Sequence, residues 1–474
     1  MLNINEISVD NFAGGGGAST GLEMALGKSV DIAINHDPAA IDMHKVNHPN
    51  TTHYCESVWD VDPVNACAGR PVGIAWFSPD CKHFSRAKGA TPVNKQIRGL
   101  AWVAVRWAMS VPVRILMLEN VSEFLSWGPV VYMNDQPRPC PARKGETFDG
   151  FIKALTTGLK PTHPTWQEAV RALNIEFDIT AKLKLFKGLG YCVEHKLLKM
   201  SDYGVPTSRE RLFIVARNDG QPVQWPAPTH GDISQGLEEI KTAADVIDWS
   251  IPVKSIFNRA RPLAEKTMIR IARGIEKFII NDPDPFIVPR EKVAPFITEH
   301  ANASNQRNMP LNEPLRTLCA QVKGGHFALV TSHIIKLRGT NTGHKTNEPL
   351  HTISAGGNHL GEVQAFLIKY FGTSSAQSAL EPLGTITTKD RYGVVMVKGS
   401  KYQIVDIGMR MFEPHELYAA MGFPANYQTA FNSEGKKNTK QNQVARCGNA
   451  VCPPAAAALV KANLATTTQK ALTA

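Results

Sequence analysis

The sequence has no apolar run approaching the roughly 18 residues that a membrane-spanning helix requires. Met1 to Glu6 show no basic stretch leading into an apolar one, so no secretion signal is visible, and a cytoplasmic protein is expected. The eight cysteines are scattered, without the paired spacing of metal ligands or a disulfide framework; reduced thiols and no metal are expected. Acidic residues are the minority charge, 42 against 52 basic, for a net charge of +10 and a pI near 9.1. That balance permits a polyanionic partner such as nucleic acid without establishing one. Hydrophobic residues make up 43% of the 474, enough for real cores, and the length exceeds one ordinary domain, so two compact units are expected.

The first part alternates strand and helix signals. Glu6 to Asp10 is a short β-prone run that ends at a glycine cluster, and Ser19 to Ala25 reads as a helix. Val30 to Ile34 is a second strand, followed by a helix from Pro38 to about Val46 with proline at its start. Gly73 to Phe77 is a third strand, Ile97 to Ser110 a helix, and Arg114 to Leu118 an almost wholly apolar strand, as expected for one buried on both faces. Leu212 to Ala216 is another. This alternation predicts a doubly wound, largely parallel sheet. The segment from Trp127 to about Asn174 gives no assignable pattern, with Pro137 to Lys144 reading as an exposed loop.

Near Pro226 the texture changes to one richer in Asn, Gly, Thr, Pro and basic residues. Within it Asn312-Glu313-Pro314-Leu315 recurs as Asn347-Glu348-Pro349-Leu350 and as Leu380-Glu381-Pro382-Leu383, a spacing of roughly 34 residues. β-prone residues follow the copies, as in His326 to Val330 and Tyr392 to Met396, so a β-rich second domain of hairpin-like units is expected over 226–404. The Glu-Pro-Leu residues themselves read more readily as a recurring turn than as a contact to a partner. Helical texture returns with Glu413 to Met421 and Pro453 to Leu464. The expected organisation is therefore 1–225, an insertion at 226–404, and a return at 405–474.

Four short motifs sit beside these strands. Asp10-Asn11-Phe12-Ala13-Gly14-Gly15-Gly16-Gly17 lies between a strand and a helix, where glycines let a cofactor approach the backbone. Alone it could serve a dinucleotide, a nucleoside cofactor or only a tight turn. A nicotinamide fingerprint would show an acidic residue closing the second strand, where Asn35-His36-Asp37 stands. Ser78-Pro79-Asp80-Cys81 follows the third strand, at the end where open α/β sheets bind ligands. Lys82 and His83 would favour the Cys81 thiolate, although a lone cysteine is more often buried and inert. Glu119-Asn120-Val121 closes the apolar strand; a carboxyl group there can serve as an acid near neutrality, or only cap and solvate. Arg209-Glu210-Arg211 opens the strand at Leu212. Residues two apart on an extended chain share a face, so both arginines could line one site, unless a bend separates them.

In order, Phe-x-Gly-x-Gly-Gly, Pro-x-Cys, Glu-Asn-Val and Arg-x-Arg are followed, after a long insert, by Gly448-Asn449-Ala450-Val451-Cys452-Pro453-Pro454. This order resembles the DNA (cytosine-5-)-methyltransferase family, most closely its phage and prophage members, over residues 1–217 and 405–465. The resemblance implies a Rossmann-like α/β methyltransferase fold with an inserted, smaller β-rich target recognition domain. It implies S-adenosyl-L-methionine as cofactor, held by Phe12, Ala13, Gly14, Gly16, Asn35, His36, Ser57, Val58, Asp80, Leu100, Asn449 and Ala450. It further implies Cys81 as nucleophile on cytosine carbon 6, Glu119 on ring nitrogen 3 and Arg211 on the exocyclic oxygen, with Arg209 structural and Ser85 on a phosphate. The base must then be flipped out of double-stranded DNA.

Three positions depart from the family pattern. Asp80 stands where proline is usual, Lys82 where glutamine is usual, and Thr207 where glutamine opens the arginine motif. The first two act on the thiol in opposite directions. Arg410 matches a position that supports the recognition domain. Arg338, Lys389 and Arg391 are candidate base contacts. A monomer is expected, in a restriction–modification setting or alone. Competing readings are a tRNA cytosine methyltransferase, a non-catalytic DNA-binding pseudoenzyme and, more distantly, a nicotinamide oxidoreductase.

Overall fold

The computed structural model describes residues 2–80, 99–133, 136–257, 259–289, 296–299, 307–310, 328–369, 394–397 and 400–464. Cys81, Lys82, His83, Ser85, Lys389, Arg391 and two copies of the Glu-Pro-Leu repeat lie outside them. The chain divides into two units, Met1–Lys241 with Tyr418–Ala474, and Thr242–Leu417. Among the described residues no helix is long and apolar enough to cross a membrane.

The first unit runs β1 (Ile7–Asn11), α1 (Gly17–Leu26), β2 (Ile32–Ile34), α2 (Pro38–Asn47), β3 (Thr52–Tyr54), α3 (Pro63–Cys67), β4 (Val72–Phe77), α4 (Trp102–Ser110) and β5 (Val113–Asn120). A hairpin, β6 (Val130–Met133) with β7 (Gln136–Pro139), follows. Then come α5 (Glu146–Leu155), α6 (Trp166–Ala172), α7 (Ile179–Lys187), β8 (Cys192–Lys199) and β9 (Glu210–Arg217). Local chemistry sets these boundaries. Asp37 and Asp62 accept from the amides of Ala39 and Val64 at the starts of α2 and α3, each just before a proline at the first helical position. β4 is buried throughout and β5 nearly so, matching their apolar sequences.

The seven strands lie in the order β3-β2-β1-β4-β5-β9-β8. β1 to β5 pair in parallel, while β9 runs antiparallel to both β5 and β8. This is the mostly parallel, doubly wound α/β sheet expected. The chain moves one way from β1 to β3 and returns through β4 on the other side. The switch point therefore falls between β1 and β4, where such sheets take ligands outside the strands' carboxyl ends. Because β9 is antiparallel, its first residues arrive at that same end: Phe213 pairs with Glu119 and Leu212 with Asn120.

The second unit centres on α8 (Glu265–Ile275) and an antiparallel sheet of β10 (Lys254–Ser255), β11 (Ala328–Lys336), β12 (His344–Lys345), β13 (Leu360–Lys369), β14 (Val394–Val397) and β15 (Ser400–Met411), in the order β10-β15-β13-β11-β12 with β14 beside β15. Ile271 and Ile275 of α8 share a core with Ile335, Val363, Ala365, Ile407 and Met409. The one described repeat copy is a turn after β12: Glu348 is exposed, Leu350 is buried, and the carbonyl of Glu348 accepts from the amide of Ala243. Arg410 lies 3.3 Å from Glu362 and 2.7 Å from Glu416, and donates to the carbonyl of Asp248. It joins β15 to β13 and to the segment before β10.

The first unit resumes in helix α9 (Pro414–Ala420), which spans the boundary, followed by α10 (Lys440–Asn449) and α11 (Pro453–Leu464).

Candidate active site

The carboxyl ends of β1, β4 and β5 and the start of β9 bring the sequence motifs together. After β1 the chain turns sharply. Phe12 adopts φ +65°, unusual for a bulky residue, and Gly14 and Gly16 take +53° and +86°. The amide of Ala13 donates to the carbonyl of Ile34 at the end of β2, and that of Gly16 to the carbonyl of Ala13. Gly17 opens α1 against the Asn449–Val451 loop. A Cβ at Gly17 would stand 2.3 Å from the Val451 carbonyl oxygen and 3.1 Å from the Ala450 Cβ, so the glycines let two candidate cofactor segments meet.

Asn35 follows β2. Its amide donates to the carbonyl of Tyr54, and its Oδ1 accepts from the amide of Asp37. Asp37 forms a 2.6 Å ion pair with Arg446 of α10, whose Cβ lies against Gly15. His36 is exposed. Ser57 accepts weakly from the amide of Trp59, while the Val58 side chain is buried in the core and its carbonyl accepts from Arg106. Leu100 packs on the same core as Phe12. Asp80 is the last described residue before the segment that holds Cys81. Pro79, next to it, is fixed by its carbonyl, which accepts from Asn120 Nδ2 at 3.2 Å.

Glu119 is 8% exposed at the end of β5, and both arginines reach it: Arg211 Nε at 3.2 Å and Arg209 Nη2 at 3.6 Å from the same Oε1. The shared face foreseen for the Arg-x-Arg pair is thus present, but the roles differ. Arg209, 3% exposed, also donates from Nη1 to the carbonyl of Gly448, clamping the Gly-Asn-Ala-Val loop to the end of β5. Arg211 is more open and donates to the carbonyl of Glu210. Thr207, where the family has glutamine, is buried and its hydroxyl accepts from the amide of Arg209, holding the turn into β9.

The described cysteines offer no rival nucleophile beside this cluster. Burial pushes the Cys452 thiol up to about 11 and raises that of Cys447 as well. Arg338 is half-buried just beyond β11. No metal-holding cluster occurs among the described residues. Sequence reasoning did not single out Arg446, whose signal was its place two residues before Gly448. It also missed Tyr427, which donates to the carbonyl of Gly15 from far along the chain.

Residues 176–464 match the family of C-5 cytosine-specific DNA methylases. The Type II methyltransferase M.AquIA of Picosynechococcus sp. is 23% identical over 255 residues, covering 51% of this chain and 87% of the relative. The Type II methyltransferase M.XorII of Xanthomonas oryzae pv. oryzae is 28% identical over 320 residues, covering 64% of this chain and 61% of the relative. Among solved structures, a DNA modification methyltransferase encoded within an E. coli prophage aligns with 98% of this chain and 100% of its own at 13% identity and a TM-score of 0.47. The family match spans more than half of the chain and contains both arginines of the Glu119 cluster and the Gly448 loop they hold; the chain belongs to the C-5 cytosine-specific DNA methylase family and is a DNA cytosine methyltransferase.

Proposed function

We propose that the chain binds S-adenosyl-L-methionine at the loop after β1 and transfers its methyl group to carbon 5 of a cytosine flipped out of a specific duplex sequence, through a covalent adduct with Cys81. The observation that carries this reading is the Glu119 cluster: a buried carboxyl group with two guanidinium groups, set at the strand ends beside Pro79 and Asp80.

The residues present suit the cofactor. A Cβ at Gly14 would meet only the Phe12 carbonyl oxygen, at 3.7 Å, so the loop stays open there, and the Asn11 amide at its root is buried with neither polar atom hydrogen-bonded among the described residues. Phe12 would lie against the adenine, Asn35 would offer its Nδ2 to a ribose hydroxyl, and Asn449 and Ala450 would close the far side. When bound, the cofactor supplies an electrophilic methyl group.

The chain's own residues do the rest. The Cys81 thiolate adds to carbon 6 of the ring. Glu119 holds a proton at ring nitrogen 3, so that the electrons of the new bond are accommodated in the ring. Arg211 steadies the exocyclic oxygen, where negative charge grows. After carbon 5 is methylated it loses its proton to a base, and Cys81 is expelled as the double bond re-forms. Arg209 keeps Glu119 and the Gly448 loop in register. The 242–417 unit is assigned the reading of base edges, with Arg338 a candidate contact. The names of the Type II relatives support a place beside a restriction endonuclease.

Incubation with methyl-labelled cofactor and either duplex DNA or tRNA tests the substrate, and bisulfite sequencing of DNA from an expressing host tests the target base. Label in DNA that disappears in Cys81→Ser is the expected result. Near-normal turnover in Cys81→Ser, or label in tRNA alone, overturns it.

A further inference from the structure

Behind the glycine loop lies a buried polar chain that the proposed reaction does not use. Asp10, fully buried at the end of β1, accepts from the Ser19 hydroxyl at 2.7 Å. Ser19 Oγ lies 2.9 Å from Nε2 of His44 on α2, and His44 Nδ1 lies 2.8 Å from Nε2 of His53 on β3. Ser19 has one proton and gives it to Asp10. With the Asp10 carboxylate accepting that proton, His44 donates from Nε2 and its Nδ1 accepts from His53. The chain runs in one direction, from the half-buried His53 to the carboxyl group two residues before Phe12.

His44 lies against His48, with ring centroids 4.3 Å apart and ring planes tilted by 41°. His48 is buried, and Glu23 Oε1 stands 3.0 Å from its Nδ1, within ion-pair distance though off the hydrogen-bond line. The other edge of His48 meets the loop: its Nε2 is 2.8 Å from where a Cβ on Gly16 would stand. The Tyr427 hydroxyl is 2.3 Å from that same point and donates to the carbonyl of Gly15, while Thr20 Oγ1 donates to the carbonyl of Gly16 at 2.7 Å. Two loop carbonyls are thus satisfied from behind, and the space inside Gly16 is filled by an imidazole and a phenol. Phe12 holds a left-handed backbone, φ +65°, which a bulky residue keeps only where the surroundings impose it.

We propose that His48 and Tyr427 are positioning residues that brace the Gly14–Gly17 loop in its cofactor-accepting shape, with His44 and Asp10 holding the brace. The proposal rests on the reading that this loop takes the adenosyl cofactor. Among the described residues no contact links His48 or Tyr427 to Glu119, Arg209 or Arg211, so the brace acts on cofactor affinity and leaves the chemical step alone. Tyr427→Phe removes one hydroxyl and little volume; His48→Leu removes the ring nitrogens, and His48→Gln returns a polar group.

The test is calorimetric titration of each full-length variant with S-adenosylhomocysteine, alongside thermal unfolding without ligand and steady-state kinetics. Tyr427→Phe is expected to raise the Kd and the cofactor KM about tenfold, as loss of one buried hydrogen bond implies, with kcat and the KM for DNA within about twofold. His48→Leu is expected to do the same, with partial rescue by His48→Gln. If wild type fails to bind, the reading of the loop is wrong and the brace falls with it. If wild type binds and a folded Tyr427→Phe binds within twofold of it, the brace alone is overturned. A fall in kcat at unchanged cofactor KM overturns it equally. Should His48→Leu fail to fold, Tyr427→Phe decides.

Discussion

Arg209 and Arg211 are two residues apart and share Glu119, yet their removal should have opposite consequences for stability and turnover. Arg209→Met deletes a guanidinium that is 3% exposed, and with it the hydrogen bond to the Gly448 carbonyl at 3.1 Å and the 3.6 Å contact to Glu119. A hydrogen bond from a charged donor contributes about 1.5–3 kcal/mol, and breaking a buried ion pair costs about 3–5 kcal/mol. Glu119 keeps Arg211 at 3.2 Å, which moves the cost to the lower end, about 3 kcal/mol. At roughly 2 °C per kcal/mol for a unit of this size, Tm should fall by about 6 °C. Arg211→Met leaves Arg209 beside Glu119, and its side chain is already 15% exposed. A cost of about 1 kcal/mol, or roughly 2 °C, is expected. Turnover should reverse the order. Single-turnover methyl transfer at saturating cofactor should fall at least about a hundredfold in Arg211→Met, as for loss of a group that stabilises developing charge. In Arg209→Met, assayed well below its Tm, the fall should be smaller. Equal Tm losses in the two variants, or Arg211→Met turnover within tenfold of wild type, would refute the division of roles.

Two glycines, one opening α1 and one capping its end, separate close packing from backbone conformation. Gly17→Ala drives a Cβ to 2.3 Å from the Val451 carbonyl oxygen and should cost about 3 kcal/mol and weaken S-adenosylhomocysteine binding, whereas Gly27→Ala, at φ +70° with nothing near its Cβ, should cost about 1 kcal/mol and leave binding intact. Calorimetry and thermal unfolding check both, and equal binding by the two variants would count against the packing argument. Burial raises the Asp10 carboxyl to about 7 against the Ser19 hydrogen bond, so the folded state holds a proton that the unfolded chain releases near 3.8; this stability is full below pH 3.8 and is lost as pH rises toward 7. Asp10→Asn should therefore gain more Tm over wild type at pH 8 than at pH 5, and a pH-independent difference would contradict the assignment. In the second unit, burial lowers His333 to about 3, so the unfolded chain binds a proton below about pH 6.5 that the folded one refuses, and stability falls as pH drops toward 3. Amide exchange in β11 and β13 should quicken from pH 7 to 5 beyond the intrinsic rate change, and His333→Leu should flatten that trend; an unchanged trend would exclude His333 as its source.

What was legible in the sequence follows from burial. β4 and β5 are apolar because both faces are covered, so their composition alone marks them. β8 (Cys192–Lys199) escaped notice because it is an edge strand, exposed at most positions, and its sequence carries neither an apolar run nor a clean alternation. β7 reads as a loop because Pro137 and Pro139 interrupt it, which only a hairpin edge tolerates. β3, at three residues, is shorter than any periodic signal. α5 does carry a stripe, Phe148, Phe151, Ala154 and Leu155, but Gly150 and the surrounding prolines and charges obscured it. Ile97 to Ser110 was read as one helix, whereas a tight turn at Gly99–Ala101 precedes α4 at Trp102.

The site was legible as a set of motifs but not as a geometry, because its decisive contacts depend on strand direction. Nothing in Leu212 to Ala216 says that β9 runs against β5. Yet only that direction brings Arg209 and Arg211 to the end of β5 where Glu119 stands; a parallel β9 would carry them to the opposite edge of the sheet. The two-residue periodicity allowed both arginines one destination, with a bend as the alternative. It could not give their difference, which comes from what lies beyond Glu119: a carbonyl at Gly448 for Arg209, and a more open position for Arg211. The same limit hid the brace behind the glycine loop. His44 and His48 stand close in sequence at the end of α2, but their purpose depends on Tyr427, which meets Gly15 only once α9 and α10 have returned to the first unit. An insertion that separates such partners by most of the chain erases the sequence signal of their contact while leaving the contact itself intact.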